Sequence, residues 1–190
     1  MAESLSTIGS LVYRRARPED YPSILRLQAA DYIDNLTEEQ RKEGFLSAKF
    51  TLEQIAAVAA DLGVAIVTDD DEVAGCLCAF RREFDHDSPV IAKMLESYDQ
   101  ARFEGKLLSA FNSYIYGPVC IARRYRRRGL LRGLYDFQKK DLASRFEVGV
   151  ALVAHDNPHS MAAHINGLGM TQAGNFEVNG KLFAILAFRI

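Results

Sequence analysis

The chain has 190 residues, 48% of them hydrophobic and 25% charged, and a formal net charge of −2. That is chain enough for one domain with a real core, at an ordinary globular composition. The near-neutral balance disfavours a broad nucleic-acid surface, and no run approaches the roughly 20 apolar residues that a membrane-spanning helix needs.

Residues 1–10 read as a loose tail with neither a basic n-region nor an apolar run, so a cytoplasmic protein is expected. Leu11–Arg15 reads as a short strand. Pro18, Glu19 and Asp20 open a helix, because proline suits a first turn and acids suit the dipole. Its inner stripe is Tyr21, Ile24, Leu25, Gln28, Ala29 and Tyr32. Thr37 to Gln40 and Thr51 to Gln54 both have capping-box spacing. The second opens a helix with Ile55, Val58 and Leu62 on one face and Gly63 as its stop. Residues 64–68 and 73–80 form a hairpin around Asp69, Asp70, Asp71 and Glu72. Those four acids lack the spaced ligands of a calcium loop and read as a solvated turn.

Ser88 and Pro89 cap a helix predicted over 89–103. Residues 107–121 are extended and aromatic, broken by Gly117 and Pro118, which suggests a bulge or an unpaired stretch. The 81–111 connection is read as an insertion on the acceptor side. Residues 129–145 form an amphipathic helix with Leu131, Leu134, Tyr135 and Leu142 on one face. Residues 147–154, apolar on both faces, read as a buried, parallel strand. A helix at 157–168 follows, with Met161, Ile165 and Leu168 inward. Asn179 and Gly180 then turn a final hairpin over 170–190. Cys76, Cys78 and Cys120 cannot all pair and read as reduced, buried thiols.

Six arginines fall within 123–132, directly after an apolar run that ends at Ile121 and around Gly129. Strand, glycine loop and helix start form a phosphate-binding layout. The first N–H groups of a helix have no intrahelical partner, and the dipole there favours negative charge.

Arg126-Arg127-Arg128-Gly129-Leu130-Leu131 resembles the pyrophosphate loop of the GNAT N-acetyltransferases, Gln/Arg-x-x-Gly-x-Gly/Ala, except that Leu131 replaces a small residue. A second segment, Asn157, His164 and Gly167-Leu168-Gly169-Met170, resembles the family's Asn-x7-aromatic-x-x-Leu-Gly-Phe run, with His164 where tyrosine is common. The resemblance implies an α/β domain: a mixed, mostly antiparallel sheet with one splayed parallel strand pair and helices on both faces, spanning 1–190. It implies acetyl-CoA as donor, held by Val119, Cys120, Ile121, Arg126, Arg127, Arg128, Gly129, Leu130, Leu131, Arg132 and Asn157. It puts an oxyanion-stabilising N–H near Cys120 or Ile121 and an acid at His164.

The expected reaction is direct attack of a primary amine on the thioester. A small-molecule amine is the first expectation for the acceptor, and a protein N-terminus or lysine the alternative. A lysine-type amine has a pKa near ~10.4, so a base or a desolvating pocket is required. His155 is a candidate base, although neighbours on a strand point to opposite sides. Tyr114, Tyr116, Glu83 and Asp85 are candidates to line the amine site. A non-catalytic CoA sensor is the rival from another class, suggested by Leu131 and by the missing tyrosine. No metal, nucleic-acid or membrane partner is expected. An exposed sheet end leaves room for a homodimer.

Overall fold

A computed structural model describes residues 11–47, 49–84 and 88–190. The expected tail at 1–10 and the candidate Asp85 lie outside them. Nine strands form among the described residues: β1 (Leu11–Arg15), β2 (Val64–Asp69), β3 (Glu72–Arg81), β4 (Arg102–Phe103), β5 (Lys106–Leu107), β6 (Ser113–Ile121), β7 (Val148–Ala154), β8 (Thr171–Val178) and β9 (Lys181–Arg189). Seven make one sheet in the order β1-β2-β3-β6-β7-β9-β8. Every neighbouring pair in it is antiparallel except β6 and β7. This is the mixed, mostly antiparallel sheet that the sequence resemblance implies.

The helices are α1 (Tyr21–Asp31), α2 (Glu38–Arg41), α3 (Leu52–Asp61), α4 (Pro89–Glu96), α5 (Leu130–Leu142) and α6 (Pro158–Ala162). One sheet face carries α1, α3 and α4 over Ile66, Cys76, Cys78 and Phe80. The other carries α5 over Leu77, Ala79, Tyr114 and Leu186. Local chemistry sets several of these ends. Thr37 and Thr51 each accept from the backbone N–H three residues on, and Gln40 and Gln54 return the bond to the threonine N–H. Each reciprocal pair satisfies two otherwise orphaned donors. Ile55, Val58 and Leu62 are buried as the spacing predicts, and the three cysteines are free and buried.

Three elements differ from the sequence expectation. The helix at 89–103 stops at Glu96, and a short ribbon of β4 and β5 follows. Ala101 and Phe103 are both buried, an alternation of two that a strand satisfies and a helix does not. The extended stretch at 107–121 starts as a 3-10 turn over Leu108–Ala110, so β6 begins only at Ser113. The helix at 157–168 is α-helical for one turn and then widens into a π turn over Ala163–Gly167. That widening rotates the inward face, so His164 is buried at 5% exposure while Met161 and Ile165 are only half-buried.

The α5 face of the sheet is packed around aromatic rings. Phe188 lies 6.2 Å from Tyr114, 5.6 Å from Tyr116 and 4.8 Å from Tyr135, measured between centroids. Its ring covers Gly149, the residue paired with it across β7 and β9. A Cβ on Gly149 would stand 2.2 Å from the Phe188 ring. Gly149→Ala is therefore expected to destabilise the fold by about 1–3 kcal/mol through overpacking, although alanine normally improves a strand. Urea denaturation measures the change.

Candidate active site

The site begins where the sheet parts. On β6, Gly117 and Pro118 stand opposite the single residue Cys78 of β3, a two-against-one bulge. Proline has no N–H to lose from the ladder there. Beyond the bulge β6 diverges from β7: the two pair only at Ser113–Val148, Tyr114–Gly149 and Ile115–Val150. From residue 116 onward the β7-facing side of β6 has no strand partner. Ala122 donates its N–H to Ala74 O across β3, at 2.9 Å. Antiparallel bonding alternates residue by residue, so Cys120 also faces β3, while Val119 and Ile121 direct their amides into the opening.

The chain leaves β6 through a turn at Arg123–Tyr125 and enters α5. Arg127 and Gly129 both have positive φ, 62° and 84°. Gly129 is the N-cap of α5, has no capping side chain, and nothing lies within 4 Å of where its Cβ would be. The first amides of α5 therefore head the helix over open space, beside the positive end of its dipole. Leu130 is buried. Leu131 packs only partly against the core, so its side chain stands in the wall of the opening rather than wholly inside.

The arginines divide into two groups. Arg123, Arg127 and Arg132 line a cavity of about 590 Å³ in front of α5. Arg124 pairs with Glu72, and Arg128 lies 5.4 Å over the Tyr125 ring, outside the lining. Arg126 lines the cavity but spends its nitrogens on protein. Its Nε donates to Ile121 O at 3.1 Å, its Nη2 to Asp31 Oδ1 at 2.7 Å, and its Nη1 to Glu43 O at 3.4 Å. Burial pushes the Asp31 carboxyl up, against the opposing pull of the Arg126 charge. Arg126 thus ties together the end of β6, the end of α1 and the segment after α2.

That segment, residues 43–46, roofs the opening. It is held from three sides. Arg126 bonds Glu43 O, Asn157 Nδ2 donates to Phe45 O at 2.9 Å, and Leu46 N–H donates to Asp31 O at 2.8 Å. Asn157 also caps α6 by accepting from Ser160 N–H at 3.2 Å.

A second cavity of about 460 Å³ lies on the other side of the roof. Its walls come from residues 45–47, 49 and 50, the start of α4, the bulge and β7. Phe45, Leu46, Val119, Ser160 and His164 belong to both cavities. His164 is the titratable group at this junction. Its Nδ1 lies 2.7 Å from the Ser160 carbonyl O, which can only accept, so Nδ1 carries a proton. Among the described residues its Nε2 has no hydrogen-bond partner. Burial lowers the imidazole pKa from its usual 6.5, opposed by the Ser160 carbonyl. At neutral pH the ring is therefore uncharged, with Nε2 as the acceptor. Its ring meets Tyr116 edge-on at 5.6 Å.

Of the sequence candidates, Val119, Ile121, Arg126, Arg127, Gly129, Leu130, Leu131, Arg132 and His164 line the first cavity. Cys120 does not: its side chain lies in the core across from Cys76. Asn157 lines the second cavity. Tyr116 lines it too, whereas Tyr114 turns to α5 and bonds Gln138 at 3.0 Å. Glu83 lines neither. His155 lines neither and pairs with Asn175 at 2.9 Å. The sequence reading missed Asp31 and Ser160, and it found no motif in the 43–46 roof, although it expected residues 34–50 to shape the acceptor pocket. Only the capping box at Thr37 signalled order near the roof.

The splayed pair in a seven-stranded sheet, with a left-handed glycine loop heading a helix at the splay, defines the fold of the GNAT N-acetyltransferases. Solved structures bear this out. An acetyltransferase of the GNAT family from Streptococcus agalactiae 2603 is 15% identical, with a TM-score of 0.66 over 95% of each chain. Ard1 from Thermoplasma volcanium is 12% identical, with a TM-score of 0.65 over 95% of this chain and 97% of that one. yncA from Salmonella typhimurium, whose structure includes its cofactor acetyl-CoA, is 16% identical, with a TM-score of 0.58 over 94% of this chain and 93% of that one. No family model matches the sequence, and no curated protein matches it. Among the described residues no helix is long and apolar enough to cross a membrane.

Proposed function

We propose that the protein moves an acetyl group from acetyl-CoA to the primary amine of a small molecule by direct attack. The observation that carries this reading is the opening between β6 and β7, flanked by two cavities that share Val119, Ser160 and His164 as a wall. One cavity suits an anionic donor and the other an acceptor.

The residues present fit such a donor. The uncapped amides of α5, the open space at Gly129 and the side chain of Arg127 border the same cavity and suit a diphosphate, while Arg132 adds charge at its edge from a guanidinium already bonded to Gly167 O. Arg126 holds this loop in place. Acetyl-CoA, when bound, supplies an acyl carbon activated by its thioester. The chain's own groups do the rest. The N–H groups of Val119 and Ile121 face the opening and can stabilise charge on the acyl oxygen. As the amine forms its C–N bond and the C–S bond breaks, the amine gives up one proton and the thiolate takes up one. On this reading His164 Nε2, which has no partner among the described residues, accepts the amine's proton. With an uncharged ring at neutral pH, His164 acts as a base, not as the acid that its motif position implies.

Calorimetric titration with CoA, combined with thiol release over a panel of amines, tests the reading. Gly129→Glu forces a non-glycine residue to positive φ and sets a carboxylate where the diphosphate lies. It should weaken CoA binding by about 100-fold, equivalent to ~2.7 kcal/mol. Undiminished affinity would remove the loop from the donor site, and tight CoA binding without turnover on any amine would favour a sensor.

A further inference from the structure

We infer that the second cavity selects a primary amine carried on an apolar, un-ionised body, and that it disfavours amines bearing further charges. The inference rests on the amine-acetyltransferase reading but draws on different residues. The walls are Phe45, Phe50, Phe80, Ile91, Ile115 and Phe183. Among the described residues lining this cavity there is no carboxylate. The one charged group is itself a cation, Lys49, whose ammonium sits 4.7 Å over the Tyr32 ring.

The polar side chains there are largely committed within the protein. Gln54 Oε1 accepts from Thr51 N–H at 2.9 Å, and Asn157 uses its oxygen on Ser160 and its amide on Phe45. What remains is His164 Nε2, the Tyr116 hydroxyl, which is buried without a partner among the described residues, and the unpaired backbone along β6 and β7, and none of these carries a negative charge. A second ammonium would enter an apolar space with no counter-charge among the described residues. The same walls favour the neutral form of the amine that attack requires. The volume, about 460 Å³, is that of a small-ligand pocket. The contrast with the arginine-edged first cavity is one of charge: an anion is drawn to one side and an uncharged body to the other.

Two sources present this chemistry, a small arylalkylamine and a peptide with an apolar first residue. Calorimetry on the wild-type protein, with and without saturating CoA, compares 2-phenylethylamine, a phenylalanyl-glycinamide dipeptide and spermidine. The tighter of the first two identifies the source. Either should bind at least about 30-fold tighter than spermidine, which corresponds to ~2 kcal/mol. Ile91→Glu, a wall change on α4 remote from the donor loop, should collapse that ratio while CoA affinity stays unchanged. Spermidine binding as tightly as the apolar amines overturns the inference, and so does binding of none of the three. Preferential binding of an apolar amine without acetyl transfer supports the cavity's selectivity and instead counts against the enzymatic reading.

Discussion

Replacing His164 with glutamine is expected to lower kcat by about 10²- to 10⁴-fold, the range for loss of a general base, with CoA affinity unchanged. Glutamine keeps a polar side chain of similar reach but cannot take a proton. The direction of the pH profile separates this role from its opposite. The His164 pKa lies below 6.5, so the neutral, proton-accepting ring dominates at neutral pH. Wild-type turnover at saturating amine should hold as pH rises above 6.5 and fall on acidification, along a limb that His164→Gln lacks. An acid at this position would give the reverse: activity present only in the charged form and lost as pH rises. The same depressed pKa affects stability. The unfolded chain takes up the His164 proton more readily than the folded one, so stability is full above pH 6.5 and declines as pH falls below it. A thermal melt of wild type and His164→Gln across that window reads the difference.

Arg126→Ala is the second large effect, and it falls on the fold before it falls on the donor. It removes the partner of Asp31, whose side chain is only 11% exposed against 19% for Arg126. Stranding one member of a buried ion pair costs about 3–5 kcal/mol. For a domain of this size that is a drop in Tm of roughly 10 °C. It also unpins the Ile121 carbonyl and the Glu43 backbone, so the roof and the loop should both loosen. Arg126→Met combined with Asp31→Leu should recover most of the stability, because neither charge is then left alone. If Arg126→Ala instead weakens CoA binding with no change in Tm, Arg126 is a phosphate ligand after all. If the double substitution is no better than the single one, the ion pair is not what holds the segment.

What was legible in the sequence was local. The capping boxes at Thr37 and Thr51, the Asn179-Gly180 turn and the Gly129 loop each act through neighbours within a few residues, so spacing alone exposes them. The bulge at Gly117 and Pro118 was legible because proline cannot serve a ladder. The rest depends on distant partners. Asp31 and Arg126 are separated by 95 positions, and nothing in a pattern of single residues pairs them. His164 was readable as a motif position, but its tautomer and burial come from a π turn that no spacing predicted. Residues 101–107 misled for the opposite reason: helical spacing continued past Glu96, while the two-residue alternation of Ala101 and Phe103 was too short to stand out.

Phe45 and Leu46 wall both cavities, and that has a consequence for redesign. On the proposed reading, any substitution there reshapes the donor's seat together with the acceptor's, so a change meant to retune amine preference would disturb two substrates at once. Phe50 and Ile91 border the second cavity alone. Selectivity is best re-engineered from that outer rim inward, leaving the partition between the chambers as it stands.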